Sequence, residues 1–525
     1  MYLTRFLWIF LCSTKFVPGE IDFNRDIRPI LSDKCFSCHG PDEHGRKADL
    51  RLDIESEAKS DDLMAIIAGN PDESEMIYRI HSDDEDELMP PPEIGKPLTK
   101  KEKQILEQWI KEGAVWADHW AYVPPVDHPT PEIKDMQWQN HWIDPFALSD
   151  IEKRNFRPAK EADPVTLVRR LHFDLTGLPP APEVVQSFAS DPSEKAYSRI
   201  IEDLLGSPHF GERLATYWLD LVRYADTVGY HGDQPHNISP YRDWVIQAFN
   251  NNIPFDQFTR EQLAGDLLPG STTQQKVASG YNRLLQTTHE GGLQLKEYDA
   301  IYAADRVRNV SEVWMGATVG CAQCHDHKYD PYTIKDHYAL ASFFSDLGDR
   351  GFNGNSLPTK RPPEIQIFTP EQQARIDSLT QEITMALPRE IVLGINALDH
   401  NRTQFTSQLK KAKNNKKAPW KKKLAELETK YLELTDQASI DRYRKLVGKK
   451  KKVENQGIWT MVSRAVKPRT MRVLPRGNWM DDSGPVVLPS VPEFLGSIQS
   501  DKERLSRLDL ANWLTDTENG IGLIN

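Results

Sequence analysis

Spare cysteine is what this sequence lacks most. Five cysteines occur in 525 residues, and apart from Cys12 they all fall in two short motifs. None is left for the disulfides of a stapled secreted scaffold. Long apolar runs are missing too. Beyond the seven apolar residues 6–12, no segment reaches the roughly 18 needed for a membrane-spanning helix. An excess of cations is also absent: Lys and Arg number 65 against 77 Asp and Glu, a net charge of −12. That makes nucleic acid a poor partner class. The charge is uneven, with an acidic run at Asp83, Asp84, Glu85, Asp86 and Glu87 and lysines crowded into 410–452.

The N-terminus offers Arg5, then the short apolar run, then the small residues Val17 and Gly19. This is the outline of a secretory signal spanning 1–19, with cleavage after Gly19. It predicts export to the periplasm or another extracytoplasmic, cell-surface location; the competing reading is a frayed tail. Cys12 is poorly placed for lipid attachment, since Phe10 and Leu11 precede it.

The two motifs are Cys35-Phe36-Ser37-Cys38-His39 and Cys321-Ala322-Gln323-Cys324-His325. A Cys-x-x-Cys turn places two thiols where they can bond to two vinyl groups of one haem, and the adjacent His lies under the iron. The pattern predicts haem c at two sites, held by Cys35 and Cys38 and by Cys321 and Cys324, with His39 and His325 as proximal ligands. Two rivals stay open. A thioredoxin-like redox pair wants a βαβ setting, which the sequence around Cys35 lacks. An all-cysteine zinc site would have to close a very long loop between the motifs.

Around the first motif the pattern is helical. Ile27, Ile30 and Leu31 share one face of 24–32; Thr99 and Glu102 form a capping box ahead of Ile105, Leu106, Trp109 and Ile110; 72–80 predicts a helix between. Helices at both ends with haem between them are the plan of a small cytochrome c domain, here 20–118. The distal ligand is predicted at Met89, in Leu88-Met89-Pro90-Pro91-Pro92, where prolines hold the thioether. Met76 suits a core-filling role better. His44 and His81 are the other candidates, and Arg46, Lys47 and Arg51 are candidates to pair with haem propionates or to form a solvated basic face.

These segments also resemble a known family. Residues 23–31, the first motif with Gly40-Pro41-Asp42, and 46–53 are similar to Planctomycete cytochrome C. Residues 173–180, 217–220 with 223–227, 241–244 and 321–331 resemble the domain of unknown function that usually follows it. The likeness covers roughly 23–118 and 142–347, and 459–525 resembles the link into a third domain that would extend beyond Asn525. The resemblance implies exported haem proteins, and no particular reaction.

The region 142–347 reads as a larger helical domain. Asp163 caps a helix opened by Pro164; Tyr197, Ile200, Ile201, Leu204 and Leu205 stripe another ended by Gly206; aromatic 217–224 predicts core. No alternating strand pattern stands out. His325 follows a helical run through Ala303 and Val313. His327 is too near it to reach the opposite face of the same haem, and instead predicts contact with a propionate, a carboxylate or an ion together with Asp326 and Asp330. A distal ligand must come from elsewhere: His289, before the flexible Glu290-Gly291-Gly292, is the leading candidate, with His209, His231 and His337 as alternatives and an open position as another. Arg213, Arg223, Asp226 and Arg242 predict buried ion pairs, or a polar site beside the haem.

Residues 119–141 predict an extended, docked linker. In 348–458, Thr369-Pro370 opens a helix with Ile376, Leu379 and Ile383 on one side, and Leu424, Leu427, Tyr431 and Leu434 repeat at heptad spacing. They predict an antiparallel helical hairpin, its lysines a solvated surface or a contact for an acidic polymer or acidic redox partner. Residues 459–525 predict a short β segment and the start of a further domain. The fold class is therefore mainly α: a small cytochrome c-like domain, then a larger helical domain with the second motif and a hairpin insertion. The predicted function is electron transfer to and from a redox partner protein. The alternatives are a dihaem enzyme oxidising peroxide or carbohydrate at the second haem, for which no catalytic residue is assigned, and a non-redox surface-binding protein.

Overall fold

The computed structural model describes residues 21–42, 45–135, 138, 141–230, 233–288, 294–348, 361–413 and 416–517. Twenty α-helices and four short strands lie in them, so the fold is mainly α. The packing forms two compact units. One comprises Met1–His236, Tyr241–Ser356 and Ser463–Asn525; the other comprises Asn237–Pro240 and Leu357–Val462.

The first unit opens with the cytochrome-like segment. Asp22 accepts from the Arg25 amide and starts a π-turn, Phe23–Ile27, that runs into α1, Arg28–Lys34, where Pro29 sits in the first turn. Next come α2 (Phe36–His39), α3 (Glu55–Ala58), α4 (Glu75–His81) and α5 (Lys100–Lys111). The capping box at α5 is formed: the Glu102 amide donates to the Thr99 hydroxyl, and the Thr99 amide to the Glu102 carboxylate. Its buried stripe is Leu106, Trp109 and Ile110, which meets Phe23, Ile27, Leu31 and Phe36. Ring centroids of Phe23, Trp109 and Trp116 lie 4.5 to 5.7 Å apart, so the first and last helices are held together by aromatic packing.

The same unit continues with α6 (Asp144–Lys153), α7 (Pro164–Leu175), α8 (Pro182–Ser190), α9 (Glu194–Leu205), α10 (Pro208–Leu221), α11 (Ser239–Asn250), α12 (Phe255–Ala264), α13 (Thr273–Ala278), α14 (Leu295–Trp314) and α15 (Ile334–Phe343). Asp163 caps α7 and Gly206 ends α9, as their residue types predict. The aromatic stretch 217–224 departs from expectation. Trp218 is held by Gln262 and packs on Trp314 and Phe258, but Tyr217 and Leu221 are more than half exposed. A 3.6-residue period turns only part of that stretch inward.

Of the four charged residues of this region, Arg223 and Arg242 form ion pairs, and none of the four is deeply buried. Arg223 meets Asp305, Arg242 meets Asp243 at 2.9 Å, Asp226 accepts from the Tyr224 hydroxyl at 2.7 Å, and Arg213 lies over the Tyr217 ring. A deeply buried ion pair lies elsewhere, at a residue that composition did not reveal. Arg507, wholly inaccessible, makes bonds of 2.8 and 2.9 Å to Asp266 and of 3.0 Å to Asp346.

The second unit is a hairpin on a strand pair. β1 (Glu364–Ile367) leads into α16 (Pro370–Ala386) and α17 (Arg389–Lys411); α18 (Ala418–Leu434) and α19 (Gln437–Glu454) return to β2 (Ile458–Met461). β1 and β2 pair antiparallel, Glu364 opposite Met461 and Ile367 opposite Ile458. α17 packs on α18 and α16 on α19. Each arm is two helices, because Pro388 cannot donate within a continuous helix and Asp436 caps a new one. Back in the first unit, β3 (Met471–Arg472) pairs with β4 (Val486–Val487), the short β segment expected beyond 459. α20, Arg507–Leu514, then packs on α12.

Candidate haem site

The first motif is a tight backbone turn. The Cys38 and His39 amides both donate to the Cys35 carbonyl, at 3.0 and 2.9 Å. The following loop folds back on it: the Lys47 amide donates to Cys38 and the Leu52 amide to His39, both at 2.8 Å. Gly40 is forced by this close return, since a Cβ there would fall 2.4 Å from the Phe36 carbonyl oxygen. These bonds direct the motif into a cavity of about 510 Å³, lined mostly by apolar atoms. That volume lies within the range of about 300–1,000 Å³ usual for small-molecule sites.

Cys35, Cys38 and His39 line this cavity together with Leu50, Leu52, Ile80, Leu98 and Met89. Met89 is fastened to α4 by its amide, which donates to the Arg79 carbonyl at 3.0 Å. Both thiols are free. Burial pushes the Cys35 thiol up to about 12, so it is neutral at pH 7 and a poor thiolate ligand. Burial, with Arg79 nearby, lowers the His39 pKa, so the imidazole is neutral and able to ligate a metal. His39 Nδ1 is buried without a hydrogen-bond partner. Two free thiols one turn apart, a neutral imidazole with a stranded nitrogen, and a thioether share one apolar cavity. This donor set fits haem c and does not fit zinc. Among the described residues, no three His, Cys, Asp or Glu side chains converge as a metal site, which answers the four-cysteine alternative.

The other candidates around this site sort by contact. Met76 packs on the core and also lines the cavity. Met64 lines it as well, from a backbone with φ of 46°. His81 is exposed on α4 and lies 3.9 Å from Glu107; His44 lies outside the described residues. Arg46 donates to the Gly40 and Pro41 carbonyls, and Arg51 pairs with Asp53 at 2.5 Å. Neither lines the cavity. Its cations are Lys34, Lys47 and Arg79, facing Asp62 and Glu75. Lys34 and Arg79 were not singled out in the sequence, although Lys34 directly precedes Cys35; Arg79 lies 40 residues beyond His39.

The second motif has a different setting. Cys321, a free thiol like Cys324, lies in a 3₁₀ turn, Val319–Gln323, and both are exposed. Neither of them, nor His325, lines the large cavity or the smaller one described below. His325 Nδ1 lies 2.6 Å from the Asp326 carbonyl, an arrangement that leaves Nε2 as the accessible nitrogen. His327 is turned inward. Its Nδ1 accepts from the Tyr329 and Asp330 amides, its Nε2 is 3.0 Å from the Thr318 hydroxyl, and Asp330 is 3.7 Å away. Burial lowers its pKa. His337 is buried beneath the turn, Nδ1 3.2 Å from the Val319 carbonyl. His209 is half exposed and meets Glu212 at 2.7 Å. His289 and His231 lie outside the described residues.

The segment after the second motif is docked on the end of the cytochrome-like segment. His119 Nε2 lies 3.2 Å from Asp330, and the Tyr122 hydroxyl donates to that of Tyr332 at 2.9 Å. The bond from His119 lowers the Asp330 pKa. A smaller cavity of about 300 Å³ lies at this junction, between Arg28, Asp53 and His119 on one side and Tyr329, Asp330 and Pro331 on the other. The start of the linker is therefore anchored.

A cavity that gathers CxxCH and a methionine under terminal helices defines a c-type cytochrome domain. Residues 35–93 match the Planctomycete cytochrome C family, and residues 142–349 match a family described as protein of unknown function (DUF1549). No curated protein and no solved structure matches the chain. Among the described residues, no helix is long and apolar enough to cross a membrane.

Proposed function

We propose that the chain is an exported electron-transfer cytochrome carrying covalent haem at Cys35 and Cys38. The observation that carries this reading is the single cavity shared by both thiols, His39 and Met89. Haem iron would supply a reversible ferrous–ferric couple. The chain's own residues set its conditions. His39 and Met89 offer an imidazole and a thioether, a pair that favours a higher potential than two imidazoles. The apolar lining excludes water and disfavours net charge at the site. Lys34, Lys47 and Arg79 provide the cations within reach of the porphyrin carboxylates.

A second haem at Cys321 and Cys324 belongs to the same proposal, supported by the His325 imidazole with its Nδ1 held by a carbonyl. The exposure of both thiols means that such a group would be more open to solvent than the first. Together they would relay electrons to a redox partner protein.

Mass spectrometry of protein produced with a cytochrome c maturation system tests both steps. The expected result is two covalent haems, reduced to one by Cys35→Ser with Cys38→Ser, and reduced likewise by Cys321→Ser with Cys324→Ser. A matured chain with the mass of its amino acids alone would refute the reading; retention of one haem after the second pair is changed, with none gained from it in the parent, would confine it to the first motif.

A further inference from the structure

The hairpin of the second unit has a charge distribution opposite to that of the rest. Residues 357–462 contain 21 Lys and Arg against 12 Asp and Glu, whereas the remainder of the chain contains 44 against 65. The imbalance is sharpest where the arms turn. Between Asp399 and Glu426 there are nine Lys and Arg and no carboxylate side chain. The pairing of the arms shows that this stretch is the tip. Tyr431 donates to Asp399 at 2.7 Å, Arg402 meets Glu428 at 3.3 Å, and Phe405 packs against Trp420 with centroids 5.9 Å apart. The register is antiparallel and brings the end of α17 beside the start of α18.

Some lysines elsewhere find carboxylates: Lys59 with Glu55, Lys96 with Asp33, Lys296 with Asp482, Lys502 with Asp509. At the tip, Lys410, Lys411, Lys413, Lys416, Lys421 and Lys422 are exposed and have no carboxylate partner among the described residues. Like charges three and four residues apart on a helix repel. This repulsion is uncompensated at the end of the hairpin, where α17 alone is 23 residues, about 35 Å, long.

We propose that the hairpin tip is a docking surface for an acidic polysaccharide. Three observations select that occupant. An interfacial lipid-binding helix needs an exposed apolar face, and among the described residues of 400–425 no large apolar side chain is exposed. A single-stranded nucleic acid site needs open aromatic platforms, whereas Phe405 and Trp420 pack against each other at a tilt and are covered by Lys423, at 5.3 and 4.7 Å from the two rings. Duplex nucleic acid is a stiff rod with one charge per roughly 1.7 Å of axis, and a chain of net charge −12 is a poor partner for it. A flexible chain of spaced carboxylates can wrap the tip alone. Recognition is then by charge, and tolerant of sugar identity.

The test uses the full chain and polygalacturonate as the probe, with binding followed by anisotropy of the labelled polymer. The parent should bind with an affinity that falls as salt rises, the log–log slope having a magnitude of about 4, as about six released counterions would give on a flexible polyanion. Changing the six unpaired tip lysines to Gln should weaken binding at least tenfold at ~0.1 M salt, with the helical circular dichroism unchanged. Lys449→Gln with Lys451→Gln and Lys452→Gln, at the other end of α19, should leave binding within about twofold, and serves as the folded reference. Equal binding by the tip variant, or binding indifferent to salt, would overturn the proposal. So would tighter capture of duplex DNA or anionic phosphatidylglycerol vesicles than of polygalacturonate. None of these readouts depends on haem.

Discussion

Met89 is the side chain on which the proposed chemistry of the first site turns. Its amide is bound to the Arg79 carbonyl and its side chain lines the cavity shared with His39. Met89→Ala should leave covalent haem unchanged by mass, lower the midpoint potential, and create binding of carbon monoxide to the ferrous protein. A variant that still refuses carbon monoxide would mean that another group, such as Met64 or Met76, takes the distal position. His337 offers a separate check. Burial lowers its pKa to about 4 from 6.5. The folded state therefore resists protonation that the unfolded chain accepts, and stability falls as pH drops from about 6.5 to about 4. The loss from this group is of the order of 3 kcal/mol, with His39 and His327 shifted in the same direction. Urea midpoints of parent and His337→Gln should converge between pH 7 and 4. At this scale the sequence was legible where chemistry is local: CxxCH and a methionine fixed by prolines. It was not legible where a partner decides. Arg46 and Arg51 read either as propionate partners or as a solvated basic face, and their partners are carbonyls and Asp53, while Arg79 faces the cavity unannounced.

Helix α5 shows how far pattern reaches at the scale of an element. Thr99 and Glu102 specify its start, and the spacing of Leu106, Trp109 and Ile110 specifies its buried face. Thr99→Ala should cost about 1 kcal/mol, and Trp109→Ala, which removes a side chain 1% exposed and packed on Phe23 and Trp116, about 3–5 kcal/mol. Trp120, 68% exposed, should tolerate Ala with little change. Denaturant titration of the three variants gives the ranking directly. Periodicity and caps likewise marked α7, α9 and α16. They failed where the face, not the composition, decides burial, as at Tyr217. The heptad spacing of Leu424, Leu427, Tyr431 and Leu434 located the hairpin but not the break at Pro388, because a local stop overrides a repeat.

Across the whole molecule, long-range pairing is what the sequence concealed. Arg507 lies more than 160 residues from either of its carboxylates, and nothing in its neighbourhood signals burial. It fixes α20 to Asp266 just beyond α12 and to Asp346. Arg507→Leu strands two buried acids and should destabilise the chain by about 3–5 kcal/mol, seen as a lowered melting temperature. The mainly helical class and several individual helices could be read in advance; the connection of the C-terminal helix to the middle of the chain could not. Because β1 and β2 pair in register, the chain enters and leaves the hairpin at neighbouring points. The arms are thus a removable graft: length can be gained or lost by whole helical turns at the distal end, in equal measure on both sides, while the junction residues keep their places.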